Sequence, residues 1–511
     1  MTTKYNQVLV IGLDAAEPAL IERWMADGTL PNLEKLKENG VYTRIGKSND
    51  HLVGLPWPTF YRGINPGGHG VYHYLQWDPA EMASKRVSQN EYNLQPFWRK
   101  FRDGGPRAIV IDVPLTTSPT DFNGIEFVGW ATHETLNPLS AFPDDVLNWA
   151  NKEICLSPAF EERYGMFTAS ELLQNRDNLI TMTEKVSKLS QALITKEDWD
   201  LFIVVFSATH RAGHQLWDGT NIISKMSEFE ADEISRALKQ VYKACDQAIG
   251  NLIQEIGEDV SVYVFSLHGM GINQSRTELL PEMVTRILVG NAEQAISPRP
   301  KLSSQLRGLI PETWRHAIKR RMPLRVQDKL TSYWRMGATE WSKTPVITLL
   351  GDYDGYLRVN LKGRESQGIV DPKDFETWIQ IITEGLMSFI DADSGEPIVR
   401  QVLRREDLGL SGVGLHHFPD MIVQWQETPA ARHRELFSQK YGTVPWPTPG
   451  RNPEGRSGNH RPQGFLIARG EHFGTNSSFQ EIRVVDLAPT ILNKLGLPVP
   501  ASMEGKVIDS W

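Results

Sequence analysis

Gln7 to Asp14, QVLVIGLD, is a short apolar run that stops at a carboxylate. Too short for a typical helix and without polar alternation, such a run predicts a strand buried on both faces, as in a parallel sheet. Three further runs read the same way. Ala108 to Ile111 is followed by Asp112; Leu201 to Phe206, LFIVVF, by SATHRAGHQLWD; and Val262 to Phe265 by SLHGMG. Helical patterns are expected over residues 17–39, 168–196 and 227–253. Apolar strands alternating with helices, each strand ending in polar residues, predict an α/β fold. The expected architecture is a doubly wound, mostly parallel sheet with helices on both faces and its active face at the strand carboxyl ends.

The chain has 511 residues, enough for about three domains or for one large α/β domain carrying insertions. Residues 1–274 and 341–511 are expected to form the two parts of a catalytic domain. Residues 275–340 are expected to form an insertion, read as a solvated segment with helices or as a lid or an oligomer contact, leaving a homo-oligomer open. Lys319, Arg320 and Arg321 form a short basic run within it. Lys and Arg number 54 against 62 Asp and Glu, a balance of −8, which gives no global electrostatic case for a nucleic acid polymer as partner. With 40 % hydrophobic and 23 % charged residues, the chain can bury a sizeable core. Two cysteines, Cys155 and Cys245, exclude a disulfide framework and a thiolate metal cluster. No segment approaches the ~20 apolar residues of a membrane span, and a cytoplasmic enzyme is expected.

The residues suited to chemistry sit beside the predicted strand ends. Asp14 closes the first strand, and His210 and His214 follow the LFIVVF strand at the i,i+4 spacing that shares one helix face. A third histidine, His460, lies far away in GNHRPQGF. Three neutral imidazoles can hold Zn²⁺ and leave a position open for water or substrate. Residues 50–70 read as a loop rich in Gly and Pro, with Thr59 in PWPTFYRG and Gly67, Gly68 and Gly70 nearby. That glycine spacing is neither a dinucleotide fingerprint nor a phosphate loop, so NAD, FAD and ATP are not indicated. A threonine hydroxyl is a weak nucleophile unless a metal stabilises its alkoxide.

Taken in order, GLDAAEP, PWPTFYRGINPGGHG, THRAGHQLW, SLHGMG, HRPQGFLIARG and VVDLAPTILNKLGLPVPASMEGKVI resemble the alkaline phosphatase superfamily, in particular its nucleotide pyrophosphatase/type I phosphodiesterase branch. The matching segments run from Asp14 to Gly505. The resemblance implies an alkaline phosphatase-like fold and a metal-dependent hydrolase of a small anionic phosphomonoester or phosphodiester, with Thr59 as covalent nucleophile. It also implies one or two divalent metals, zinc first, with manganese or iron as alternatives. One ion would be held by His210, His214 and His460, the other by Asp14, Thr59 and the pair Leu267 and His268.

The sequence departs from that branch twice. His210 and Leu267 stand where its members carry aspartates. His210 can still coordinate, giving an all-imidazole site, whereas Leu267 cannot, and the second site keeps Asp14, His268 and Thr59. These departures open the alternatives of a repurposed single-metal transferase or lyase, or of a noncatalytic binding protein. Around the core positions, Arg62 is a candidate phosphate clamp, His69 and His73 are close to Thr59 in sequence, and His416, His417 and Asp420 form a polar turn. Tyr356, Arg358, Asn360 and Arg364 are expected mostly to stabilise their own strand and turn.

Overall fold

The computed structural model describes residues 5–46, 56–92, 94–132, 136, 138–160, 165–290, 340–452, 454–470 and 482–508. Its main sheet has eight strands in the order Val41–Ile45, Gly464–Arg469, Ser261–Ser266, Val8–Leu13, Leu201–Phe206, Ala108–Ile111, Gly124–Val128 and Ser140–Phe142. The block from Ser261–Ser266 to Gly124–Val128 is parallel throughout. Gly464–Arg469 runs antiparallel to both its neighbours, and Ser140–Phe142 antiparallel to its one.

Strand alternation explains why helices cover both faces. Leu9, Ile11 and Leu13 point into one core with Phe202, Val204 and Phe206, packed under the helices Ala169–Lys196 and Glu228–Gln254. Val8 and Val10 point into the other, with Trp57, Phe60 and Tyr61 of the Pro56–Arg62 helix and Ile491 of the Leu487–Lys494 helix. The two long helices begin at capping boxes, Thr168 with Glu171 and Ser227 with Glu230, which satisfy first-turn N–H groups. The expected doubly wound, alkaline phosphatase-like architecture is the one observed.

Two local readings need correction. Residues 17–39 form two helices, Pro18–Ala26 and Pro31–Glu38, interrupted where Gly28 adopts φ 77°. Residues 56–70 are not loop throughout. Pro56–Arg62 and Pro66–His69 are helical because prolines in a first turn lack only N–H groups that have no helical partner there. Asn65 caps the second by accepting the Gly67 N–H at 2.7 Å. Residues 50–55 of that expected loop lie outside the described residues.

A second core lies around a four-stranded antiparallel sheet ordered Val346–Leu349, Gly355–Val359, Met421–Trp425 and Val399–Arg404. The helices Leu280–Gly290 and Phe375–Met387 pack on it. Residues 275–290 of the expected insertion therefore belong to this core, while 291–339, with Lys319, Arg320 and Arg321, lie outside the described residues. Arg358 pairs with Glu365, and Arg364 with Asp420, inside this unit. Asn360 Nδ2 donates to the carbonyls of Trp341 and Thr344, as a structural role requires. No helix among the described residues is long and apolar enough to cross a membrane.

Candidate metal centre

Three neighbouring parallel strands end at the same side of the sheet and deliver the first residues of the site. Asp14 follows Val8–Leu13, His268 follows Ser261–Ser266, and the helix Ala208–Gln215 begins one residue beyond Leu201–Phe206. That helix places His210 and His214 on one face. His460 arrives on Gly458–Arg461, which pairs antiparallel with Gly269–Ile272 so that His460 sits opposite Met270. The helix and this strand approach closely, because a Cβ on Gly458 would stand 2.1 Å from the Gly213 carbonyl oxygen. No side chain larger than hydrogen fits there.

The three imidazoles converge through Nε2. His210 Nε2 lies 3.0 Å from His214 Nε2 and 3.3 Å from His460 Nε2. The three histidines are buried, and their ligand atoms lie within 4.8 Å of one another. Nitrogens bound tetrahedrally at ~2.0–2.1 Å stand about 3.3–3.4 Å apart, so the observed spacing suits one zinc-sized ion. The donor set fits as well, since burial, with help from Arg456 and the neighbouring histidines, drives the His214 proton affinity well below the ordinary range. Burial and the His268 and His210 neighbours do the same to His460. Neutral rings keep their lone pairs available to a cation.

Each outer nitrogen has a partner too. His210 Nδ1 is 3.0 Å from Asp14 Oδ2, His214 Nδ1 is 3.0 Å from the Gly458 carbonyl oxygen, and His460 Nδ1 is 3.2 Å from His268 Nδ1. Asp14 is buried, and its Oδ1 accepts the Trp57 indole N–H at 2.9 Å. Gly12 makes room for that indole, since a Cβ there would meet the Trp57 ring at 2.8 Å. His268 Nε2 is 3.9 Å from Asp14 Oδ1. Burial lowers the His268 pKa to about 4, against the opposing pull of Asp14.

Thr59 takes a different direction. Its Oγ1 lies 3.0 Å from His69 Nε2, while the Val71 N–H donates to His69 Nδ1 at 3.1 Å. An imidazole that accepts at Nδ1 and is neutral carries its proton on Nε2, so His69 donates to Thr59. Burial, followed by the Arg62 charge, lowers the His69 pKa to about 3. Trp57 and Thr59 are two residues apart on one helix, about 200° around its axis, and Trp57 takes the side facing Asp14. Thr59 makes no hydrogen bond to Asp14 or to the four clustered histidines among the described residues. Leu267 is buried with the apolar cluster of Trp57 and Phe265.

Other candidates are placed elsewhere. His73 Nε2 faces Asp352 Oδ2 at 3.1 Å, and His416 Nδ1 is 2.7 Å from the Val413 carbonyl oxygen. His417 packs at a tilt against Tyr92, and Asp420 holds Arg364 and the Val359 N–H. Sequence reasoning missed Trp57, Arg456 and Asp352. Arg456 is buried beside His214 and His460, with Nη1 3.6 Å from Asp352 Oδ1, while the Asp352 carbonyl accepts Asn459 Nδ2 at 2.9 Å. The signal for Trp57 was present, because an indole N–H in an otherwise apolar buried run needs an acceptor.

Residues 8–303 match the model of the type I phosphodiesterase / nucleotide pyrophosphatase family, more than half of the chain. The chain belongs to this family. Solved structures resemble this phosphodiesterase-family protein over nearly its full length. Phosphonoacetate hydrolase from Sinorhizobium meliloti 1021, in complex with phosphonoformate, is 13 % identical, with 96 % of each chain covered and a TM-score of 0.51. Human ectonucleotide pyrophosphatase / phosphodiesterase 5 is 12 % identical, covering 98 % of this chain and 97 % of that one, with a TM-score of 0.45. A search of curated proteins finds no match. Family membership and the three-histidine cluster together make this phosphodiesterase-family protein a metal-dependent hydrolase of phosphoester-like substrates, within the alkaline phosphatase superfamily and with an all-histidine metal site.

Proposed function

We propose that this protein hydrolyses a small anionic phosphomonoester or phosphodiester with water, using one divalent ion, zinc before manganese or iron, held by His210, His214 and His460. The observation that carries this reading is the convergence of three buried Nε2 atoms, two pairs of them at 3.0 and 3.3 Å. A divalent ion bound there supplies Lewis acidity, lowering the pKa of a water ligand and polarising a phosphoryl oxygen. The histidines hold and orient, leaving a fourth direction for the substrate or water. Arg456 places a guanidinium beside His214 and His460, partly balanced by Asp352 at 3.6 Å, where it can meet an anionic substrate. A cytoplasmic setting belongs to the same proposal and accords with Cys155 and Cys245 being free.

A second reading makes Thr59 the nucleophile. It is favoured by the His69 hydrogen bond, which fixes the hydroxyl and would stabilise negative charge on Oγ1. In that tautomer His69 is a donor and cannot also accept the threonine proton.

Zinc-loaded protein assayed with p-nitrophenyl phosphate and bis(p-nitrophenyl) phosphate tests the proposal. Turnover of either ester that disappears in His214→Ala is the expected result. No turnover of either ester under zinc, manganese or iron loading would contradict it.

A further inference from the structure

We propose that Asp14 and His268 are not ligands of a second metal but positioning residues that lock the three histidines into a one-ion centre. The inference rests on the functional reading above only for the presence of an ion. Its basis is the pairing of atoms around the three rings. All three Nε2 atoms face one another, and all three Nδ1 atoms face outward onto Asp14 Oδ2, the Gly458 carbonyl and His268 Nδ1.

A neutral imidazole that binds a cation through Nε2 must carry its proton on Nδ1. His214 and His460 then donate from Nδ1 to the Gly458 carbonyl and to His268 Nδ1, which fixes their tautomers, while His210 Nδ1 rests 3.0 Å from the Asp14 carboxylate in an electrostatic contact without hydrogen-bond alignment. For His460 the acceptor is His268 Nδ1, so the His268 proton resides on Nε2, the atom facing Asp14 Oδ1 at 3.9 Å. In this state the 3.3 Å approach of His268 Nδ1 to the Gly269 carbonyl is not a hydrogen bond. Asp14 thereby ends one direct relay, to His210, and faces His268, the support of His460, at 3.9 Å, a range at which its charge acts without a hydrogen bond.

The carboxylate is itself held. Trp57 donates to Oδ1 while His210 faces Oδ2, so both oxygens are engaged inside the protein. Turning Asp14 toward a second ion would leave the buried Trp57 N–H and the His210 Nδ1 without it. The position beside His268 offers Leu267, an apolar side chain with no donor atom. The structure has thus converted two ligand-type side chains into supports for the remaining site. Partners of this kind typically change metal affinity 10–100-fold when removed.

The test is zinc stoichiometry by elemental analysis together with zinc affinity by competition against a chromophoric chelator. The wild-type chain, Asp14→Asn, His268→Gln, Trp57→Phe and His214→Ala are compared. One zinc per chain is expected in the wild type. Asp14→Asn and His268→Gln keep that single ion but bind it roughly 10–100-fold more weakly, and the visible spectrum of the cobalt-substituted protein shifts. Trp57→Phe keeps every charge and most of the packing and weakens zinc less, so it reads the same relay if Asp14→Asn fails to fold. His214→Ala retains no zinc at chelator concentrations that leave the wild type loaded. Two zinc ions per wild-type chain, with Asp14→Asn losing one and holding the other at unchanged affinity, would overturn the proposal. Metal binding without ester turnover would count against the proposed reaction and leave this inference standing.

Discussion

The Trp57 indole N–H donates to Asp14 Oδ1 at 2.9 Å, joining a helix on one face of the sheet to the carboxyl end of its central strand. Trp57 is buried against Phe60 and Phe265, so the donor cannot be replaced by solvent. Trp57→Phe removes one hydrogen bond to a buried carboxylate. It should destabilise the protein by about 1–3 kcal/mol, measured by urea unfolding of the metal-free chain.

His214→Ala deletes one of three ligands and leaves a gap on the helix face that meets Gly458. Zinc should be lost on dialysis and ester turnover with it. Wild-type protein stripped by a chelator should lose turnover equally and regain it when zinc is restored. Turnover that survives chelation would separate the activity from the histidine cluster.

Thr59→Ala distinguishes the two attacking groups. With water attacking, turnover of zinc-loaded protein should fall by less than about tenfold, because Thr59 is bound to His69 rather than to the metal site. A fall beyond about 10³-fold, with a phosphoryl adduct on the wild-type chain by intact mass, would establish the threonine mechanism.

Each buried histidine should cost the metal-free protein stability as pH falls. His69 and His268 have folded-state pKa values lowered by burial to about 3 and about 4. The unfolded chain takes up their protons near pH 6.5, the folded chain only much lower. Their contribution to stability is therefore complete above about pH 6.5 and is lost as pH falls toward 4, by up to about 1.4 kcal/mol per pH unit for each ring. Asp112 and Asp354, whose carboxyls burial raises to about 7, act in the opposite sense across this range. His69→Asn should accordingly flatten the dependence of urea midpoint on pH by about one proton relative to the wild type.

The strand ends were legible because parallel strands buried on both faces are written as uninterrupted apolar runs, so the first polar residue marks the active edge. Asp14, His268 and the His210, His214 pair follow from that rule. His460 does not, since its place depends on the antiparallel pairing with Gly269–Ile272 across a long separation in sequence. The prolines of PWPTF suggested a loop because their usual helix-breaking effect vanishes in a first turn. With that helix unseen, the rotation that points Trp57 at Asp14 and Thr59 at His69 was hidden too. The antiparallel strands around Gly355–Val359 gave a weaker signal than the parallel ones, and their contribution of Asp352 beside Arg456 emerges only from packing.

Anomalous diffraction at the zinc edge, on crystals of protein purified without chelator, tests the central claim most directly. A single peak about 2.0–2.1 Å from Nε2 of His210, His214 and His460, with Asp14 and His268 outside bonding distance, is the predicted result. An ion bound by Asp14 and His268, or no ion among the three histidines, would contradict it.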